Sequence, residues 1–316
     1  MSLHIVYYWS GKLPRISELS IASALTRFPA ATVDLWLDTD RGFESSFPDQ
    51  LEWLRGEERF RLRFFSMEDF VRRCGFRPAQ NQPLSAERFK NWIFQSFHNS
   101  SMRKNSFVRG LGDSAFLRPL LGHYNPIYGW FRAGPPSHTI KWAGAIYRDD
   151  LFKILIEREY PNADVLCADL DVYFAAPVES WPFDKSFTSR WGDAPWANNP
   201  VLFLHRHRPG ISKTFHRLLE QGVPARPWHF FSDENCAKFG IEILDCAEFD
   251  PGWNPHSVSY ARTELFMVES TSSKAFIDEI NEYSLSVHWH NQWQTVPSPS
   301  SPYAHFLQQC KETLSG

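Results

Sequence analysis

Short apolar runs alternate with segments of helical period along residues 4–74, and this alternation restricts the possible folds more than any other feature. HIVYYW (4–9) reads as an apolar strand, and SGKLP (10–14) is a turn containing Gly and Pro. Residues 15–28 place Ile21, Ala24, Leu25 and Phe28 at helical spacing, and ATVDLWLDTD (31–40) is a second strand ending in acids. FRLRFF (60–65) is a third strand and MEDFVRRC (67–74) a short helix. Strand and helix alternating at this spacing predict an α/β fold whose sheet is at least partly parallel. Residues 79–140 break the rhythm with a helix-rich, aromatic stretch, expected as a helical insertion within a single domain spanning 1–316. A clear helix resumes over 141–159, with Tyr147, Leu151, Ile154 and Leu155 on one face, and YPNA ends it. QTVPSPSSPY (294–303) is a Pro/Ser-rich surface segment leading to a last short helix.

The chain has 316 residues, enough for a sizeable core. A formal net charge of −3 argues against a nucleic-acid partner, which calls for a basic face. Trp is abundant at 13, beside 27 Phe and 10 Tyr. Such rings suit flat, polar-rimmed ligands such as sugars and bases, although any single ring is more often core. Cysteines at 74, 167, 236, 246 and 310 never fall in a C-x-x-C spacing. They are expected as free thiols in a reducing compartment, not as a disulfide framework or a Cys zinc site. With no apolar run of membrane-spanning length and no signal-peptide pattern in MSLHIVYYWSG, the expected location is cytoplasmic.

The stretch ADVLCADLDVYF (163–174) places Asp169 and Asp171 within what reads as one buried strand. Carboxylates are costly there unless something compensates them. Residues i and i+2 of an extended chain share a side, and a strand's carboxyl end in an open α/β sheet faces the ligand crevice. Two hard oxygen donors so placed suit Mg²⁺ or Mn²⁺. Asp38-Thr39-Asp40 repeats the spacing but runs into RGFESS, and is expected to be a solvated loop. SVHWHNQW (286–293) could bring His288 and His290 to one metal from the same side. In FFSDENCAKFG (230–240), Asp233 or Glu234 could act as a general base toward a hydroxyl; alternatively Ser232 or Asp233 caps a helix. WANNPVLFLHRHRPG (196–210) sets Asn198 and Asn199 just before an apolar strand, where the amides could hold sugar hydroxyls or simply form a turn. His205 and His207, at that strand's end, are expected to be structural or at the surface.

In this order the segments resemble the nucleotide-sugar-dependent glycosyltransferases of the GT-A fold with a DxD motif. That group includes the glucosylating bacterial toxins and the Golgi mannosyltransferases, and is related to glycogenin and the lipopolysaccharide galactosyltransferases. HIVYYWSGKLP is similar to the group's opening strand, which implies Trp9 near the donor base with Tyr8 and Ser10 beside it. DDLFK (149–153) stands where the group has Ser-Asp-x-x-Arg, implying Asp150 near the ribose and Lys153 near the diphosphate. Here Lys replaces Arg, Asp149 replaces Ser, and EREYPNA (157–163) replaces the usual Gly-Gly. Lys153 could instead be an i,i+4 partner of Asp149, with Arg148 as the alternative diphosphate contact. The resemblance further implies that Asp171 binds metal directly, and that Asp169 contacts ribose and metal. It makes His288 a metal ligand or diphosphate contact with Trp293 nearby, and places Asn199, Asp233 and Glu234 at the transferred sugar.

The implied fold is a mixed, mainly parallel GT-A sheet. The implied activity is metal-dependent transfer, with retention, from a nucleoside-diphosphate sugar, UDP-sugar favoured, to a saccharide, glycolipid or protein. Residues 79–140 are expected to shape the acceptor site or touch a membrane surface. A metal-dependent hydrolase and a non-catalytic carbohydrate-binding protein are the competing expectations.

Overall fold

The computed structural model describes residues 2–40, 46–74, 145–190, 197–208, 210–211, 231–251, 266–268, 277–278, 280–282, 284–289 and 295–315. The expected insertion at 79–140, His290 and Trp293 lie outside these residues, as do the side chains of Tyr147 and Asn198.

The first half follows the sequence pattern closely. Strand β1 (Leu3–Ser10), helix α1 (Ser17–Arg27), strands β2 (Thr32–Asp38) and β3 (Phe60–Phe65) and helix α2 (Met67–Arg73) precede helix α3 (Ala145–Leu155) and strand β4 (Asp164–Ala168). β3, β2, β1 and β4 lie side by side and parallel. Beyond β4 the sheet continues antiparallel through β7 (Ala197–Leu204) and β6 (Phe187–Arg190), then parallel to β8 (Glu242–Leu244). Among the described residues this makes a seven-stranded, mixed and mainly parallel α/β sheet.

The strand period divides the core into two faces. Ile5, Tyr7, Val33, Leu35, Leu166 and Ala168 meet Ile21, Ala24 and Leu25 of α1 and Phe28 just after it. Val6, Tyr8, Trp36, Val165 and Cys167 meet Phe70 and Val71 of α2 and Leu151, Phe152 and Leu155 of α3. The result is a sheet with helices on both faces, so its central strands are buried runs rather than alternating ones. The Ser66 hydroxyl accepts the Asp69 amide at 3.0 Å and starts α2. Helix α1 is buried on a second side as well, where Leu19 and Ala22 pack with Tyr303, Phe306 and Cys310 of α6 (Pro302–Ser315). The final helix, expected to be short, has 14 residues because it covers α1. All five cysteines are buried and unbridged.

Three expectations are corrected. The segment 163–174 is not one strand: it leaves the sheet after Ala168, turns through Asp169–Asp171, and resumes as β5 (Val172–Phe174) paired with β9 (Ser286–His288). Asn198 and Asn199 lie inside β7 rather than before it, because the ladder to β6 extends to Ala197. Asp38 is no solvated loop residue but 2% exposed. Its carboxylate accepts from the Tyr8 hydroxyl at 2.9 Å and pairs with Arg148, which also reaches Asp40 at 2.9 Å. The pattern at residues 38–40 holds a protein cation that α3 delivers.

Candidate active site

The sheet grows to one side of β1 through β2 and β3, and to the other through β4 and β7. The carboxyl ends of β1 and β4 therefore flank the switch point, where open α/β sheets bind ligands. Residues 9–10 end β1 there, and Asp169-Leu170-Asp171 follows β4.

Two backbone features aim these acids. The Asp169 amide donates to the Pro200 carbonyl at 2.8 Å, and the Val172 amide donates back to the Asp169 carbonyl at 3.2 Å, closing a tight turn. β5 then pairs antiparallel with β9, Val172 opposite His288, and the Trp289 amide donates to the Asp171 carbonyl at 3.0 Å. His288 Nε2 thereby lies 3.1 Å from Asp171 Oδ1 and 3.9 Å from Asp169 Oδ2. One ligating atom from each of the three residues lies within 4.8 Å of the others. Two carboxylates and an imidazole at this separation are a donor set for a divalent cation such as Mn²⁺ or Mg²⁺.

Burial alone would lower the pKa of His288, but the Asp171 and Asp250 carboxylates override it and raise it well above the usual histidine value. Without a metal the ring is therefore an imidazolium held between acids. A metal must displace that proton, so affinity for Mn²⁺ is expected to rise with pH above the ordinary histidine range. Titrations followed by electron paramagnetic resonance at several pH values check this; a flat profile would remove His288 from the ligand set.

Behind the acids, α3 buries charge of both signs. Lys153 is 2% exposed and is bonded to Asp169, to Asp149 at 2.9 Å and to the Asn199 carbonyl at 2.9 Å. Burial would lower its pKa, yet Asp149, Asp169 and Asp150 raise it above that of an ordinary lysine. Asp150 is buried and accepts from Asn199 Nδ2 at 2.7 Å. Burial pushes its carboxyl up to about 6, against the opposing pull of Lys153. The i,i+4 pairing of Lys153 with Asp149 is present, with the ammonium buried and the Asp149 carboxylate partly exposed.

The other candidates are distributed as follows. Tyr8 is buried, with its hydroxyl between Asp38 and Arg148, and stacks on Phe152 with ring centroids 5.0 Å apart. Trp9 is half-buried and its indole donates to the Lys12 carbonyl at 3.0 Å. Ser10 ends β1 opposite Asp38. Arg148, the alternative diphosphate contact, has no exposed side-chain surface and pairs with Asp38, Asp40 and Tyr8. Asn199 joins the cluster through Asp150 and Lys153. Asp233 and Glu234 are exposed in the first turn of α4 (Asp233–Phe239). Ser232 caps that helix by accepting the Asn235 amide, as the alternative reading expects, and Asp233 faces Arg190 at 3.2 Å. Asp250, which carried no recognisable signal in EFDPGW, is 2% exposed with Oδ2 3.6 Å from His288 Nδ1.

No protein-family model matches the chain, and no curated protein matches it in sequence. In structure it is similar to the glycosyltransferase GlyE of Streptococcus pneumoniae TIGR4, with 11% identity and a TM-score of 0.41 over 97% of this chain and 62% of that one. It is also similar to the bifunctional glycosyltransferase WbbM, with 9% identity and a TM-score of 0.49 over 98% of this chain and 49% of that one. A third similar structure is the galactosyltransferase LgtC with donor and acceptor sugar analogs, at 14% identity and a TM-score of 0.39, covering 99% of this chain and 96% of that one. This chain thus spans less than two thirds of the first and about half of the second. Among the described residues no helix is long and apolar enough to cross a membrane.

Proposed function

We propose that this chain is a glycosyltransferase that moves a sugar from a nucleoside-diphosphate sugar, UDP-sugar favoured, to a saccharide, glycolipid or protein hydroxyl, with retention at the anomeric carbon. The observation that carries the reading is the convergence of Asp169, Asp171 and His288 at the switch point of a mainly parallel sheet. A nucleotide's base and ribose belong beside the ends of β1 and β4, where Trp9 offers a half-buried ring. Asp171 and His288 hold a divalent cation, with Asp169 shared between the cation and the ribose. When bound, that cation supplies positive charge against the departing diphosphate.

The chain's own residues do the rest. The Asp169 carboxylate is fixed by Lys153, and the ammonium keeps the acid from drifting toward solvent. Asn199 and Asp150 form the polar wall behind it. Asp233 and Glu234 are assigned no proton transfer, because Asp233 faces Arg190 on an exposed turn. A peripheral contact of residues 79–140 with a membrane or acceptor is part of the same reading.

A thermal-shift comparison of UDP, GDP and CDP with and without Mn²⁺ tests it. At a hundredfold excess over Kd, ligation stabilises by about 2.7 kcal/mol. This corresponds to a rise of a few degrees in Tm, seen with metal present and largest with UDP. If no nucleotide moves the curve in the presence of Mn²⁺, the transferase reading fails. A shift caused by sugars alone, with neither metal nor nucleotide, would point to a carbohydrate-binding protein.

A further inference from the structure

The geometry points to Asp250 as the positioning residue for His288, an inference that rests on the metal-site reading above. The imidazole stands between two carboxylates: Nε2 faces Asp171 at 3.1 Å, and Nδ1 faces Asp250 at 3.6 Å, beyond hydrogen-bond length but within charge-pairing distance. Asp250 is 2% exposed and His288 7%, so neither interaction is screened by water.

The two residues also travel on one bonded unit. Helix α5 (Cys246–Phe249) is capped by the Asp245 carboxylate on the Ala247 amide at 2.9 Å, and the Asp250 amide closes it on the Cys246 carbonyl at 2.7 Å. That helix is tied to the chain entering β9: the Leu285 amide donates to the Glu248 carbonyl at 2.7 Å, and the Ser286 hydroxyl donates to the Phe249 carbonyl at 2.9 Å. Asp250 and His288 are therefore held in register by hydrogen bonds between α5 and the chain entering β9, none of which involves an acid of the DxD turn.

A histidine that ligates metal through Nε2 keeps its proton on Nδ1, and a carboxylate behind Nδ1 fixes the ring's orientation and raises its basicity. Among the described residues, Asp250 places a buried carboxylate on that side of the ring.

The test is Mn²⁺ binding, without nucleotide, followed by electron paramagnetic resonance on the full chain. Asp250→Ala is expected to weaken Mn²⁺ by roughly 10–100-fold. Asp250→Asn, whose amide oxygen can still face Nδ1 and orient the ring, is expected to stay within about tenfold of the original protein. In a His288→Ala background, Asp250→Ala should change the weak residual binding by no more than about twofold, because its effect passes through the ring. Equal losses in both backgrounds, or an Ala variant that binds like the original, would overturn the role. Should the Ala variants not fold, the inference stands or falls on Asp250→Asn against Asp250→Leu, with equal affinities overturning it. If the unsubstituted protein binds no Mn²⁺, the metal reading itself fails, a result separate from any difference among variants.

Discussion

Asp171→Asn is expected to abolish the metal-dependent part of nucleotide binding. Asn keeps the volume of the side chain and removes the buried negative charge that faces Nε2 of His288 at 3.1 Å. Loss of an outer-shell partner costs metal affinity ~10–100-fold, and loss of a direct ligand should exceed that. The original protein with UDP should show a Tm that rises on adding Mn²⁺; the variant should show the same Tm with and without the metal. An undiminished Mn²⁺ increment would remove Asp171 from the ligand set. The metal-free variant carries a second signature, with a definite sign. His288 has a raised pKa in the folded state, so its ion pairs contribute stability that is fully present below the ordinary histidine value and lost as pH rises through the raised one. Without the Asp171 charge much of that contribution disappears. The variant is therefore less stable than the original at mildly acidic pH, and the gap narrows as pH rises.

The parts of this architecture legible in the sequence are those with local causes. β1, α1, β2, β3 and α2 follow from period and turn chemistry, and the observed bounds lie within two residues of the expected ones. The two acids of 169–171 were legible as a pair, but extended-chain geometry is not what unites them. β4 stops at Ala168, and a turn, then pairing of β5 with distant β9, delivers the carboxylates to His288. Pairing between segments so far apart leaves no periodic trace. The same lack of local signal explains the reading of Asp38 and Asp40 as solvated: the compensating Arg148 arrives on a helix far along the chain. Asp250 had no pattern at all, since its partner is a ring on another strand. Local sequence identifies carboxylates readily, whereas which cation neutralises each one is a tertiary property.

That distinction makes Lys153 the other residue of large expected effect. α3 was expected to be amphipathic, yet Arg148, Asp150 and Lys153 are all buried, each with a partner of its own. Lys153 stands among Asp149, Asp150 and Asp169, two of which it bonds directly. Lys153→Met fills the same space and leaves three acids facing one another with no ammonium. Breaking a buried pair in this way costs about 3–5 kcal/mol. At ~2–4 °C per kcal/mol this lowers Tm by roughly 6–20 °C near neutral pH. The pH dependence separates charge from packing. Burial already raises the pKa of Asp150 to about 6 and that of Asp149 well above the ordinary range, and removing Lys153 raises both further. A carboxyl whose folded pKa is raised destabilises the fold above that pKa and is relieved as the pH falls toward its unfolded value. The deficit of Lys153→Met should thus be largest at and above neutral pH and shrink as the pH falls through the further raised values of Asp149 and Asp150 toward the ordinary carboxylate value of about 4. A deficit that stays constant with pH would assign the loss to packing and show that the ammonium is not what makes this acidic site tolerable. If the deficit does shrink, the Lys153 charge is what makes this acidic cluster tolerable, and the Asp169 carboxylate faces the proposed metal site with that ammonium bonded behind it.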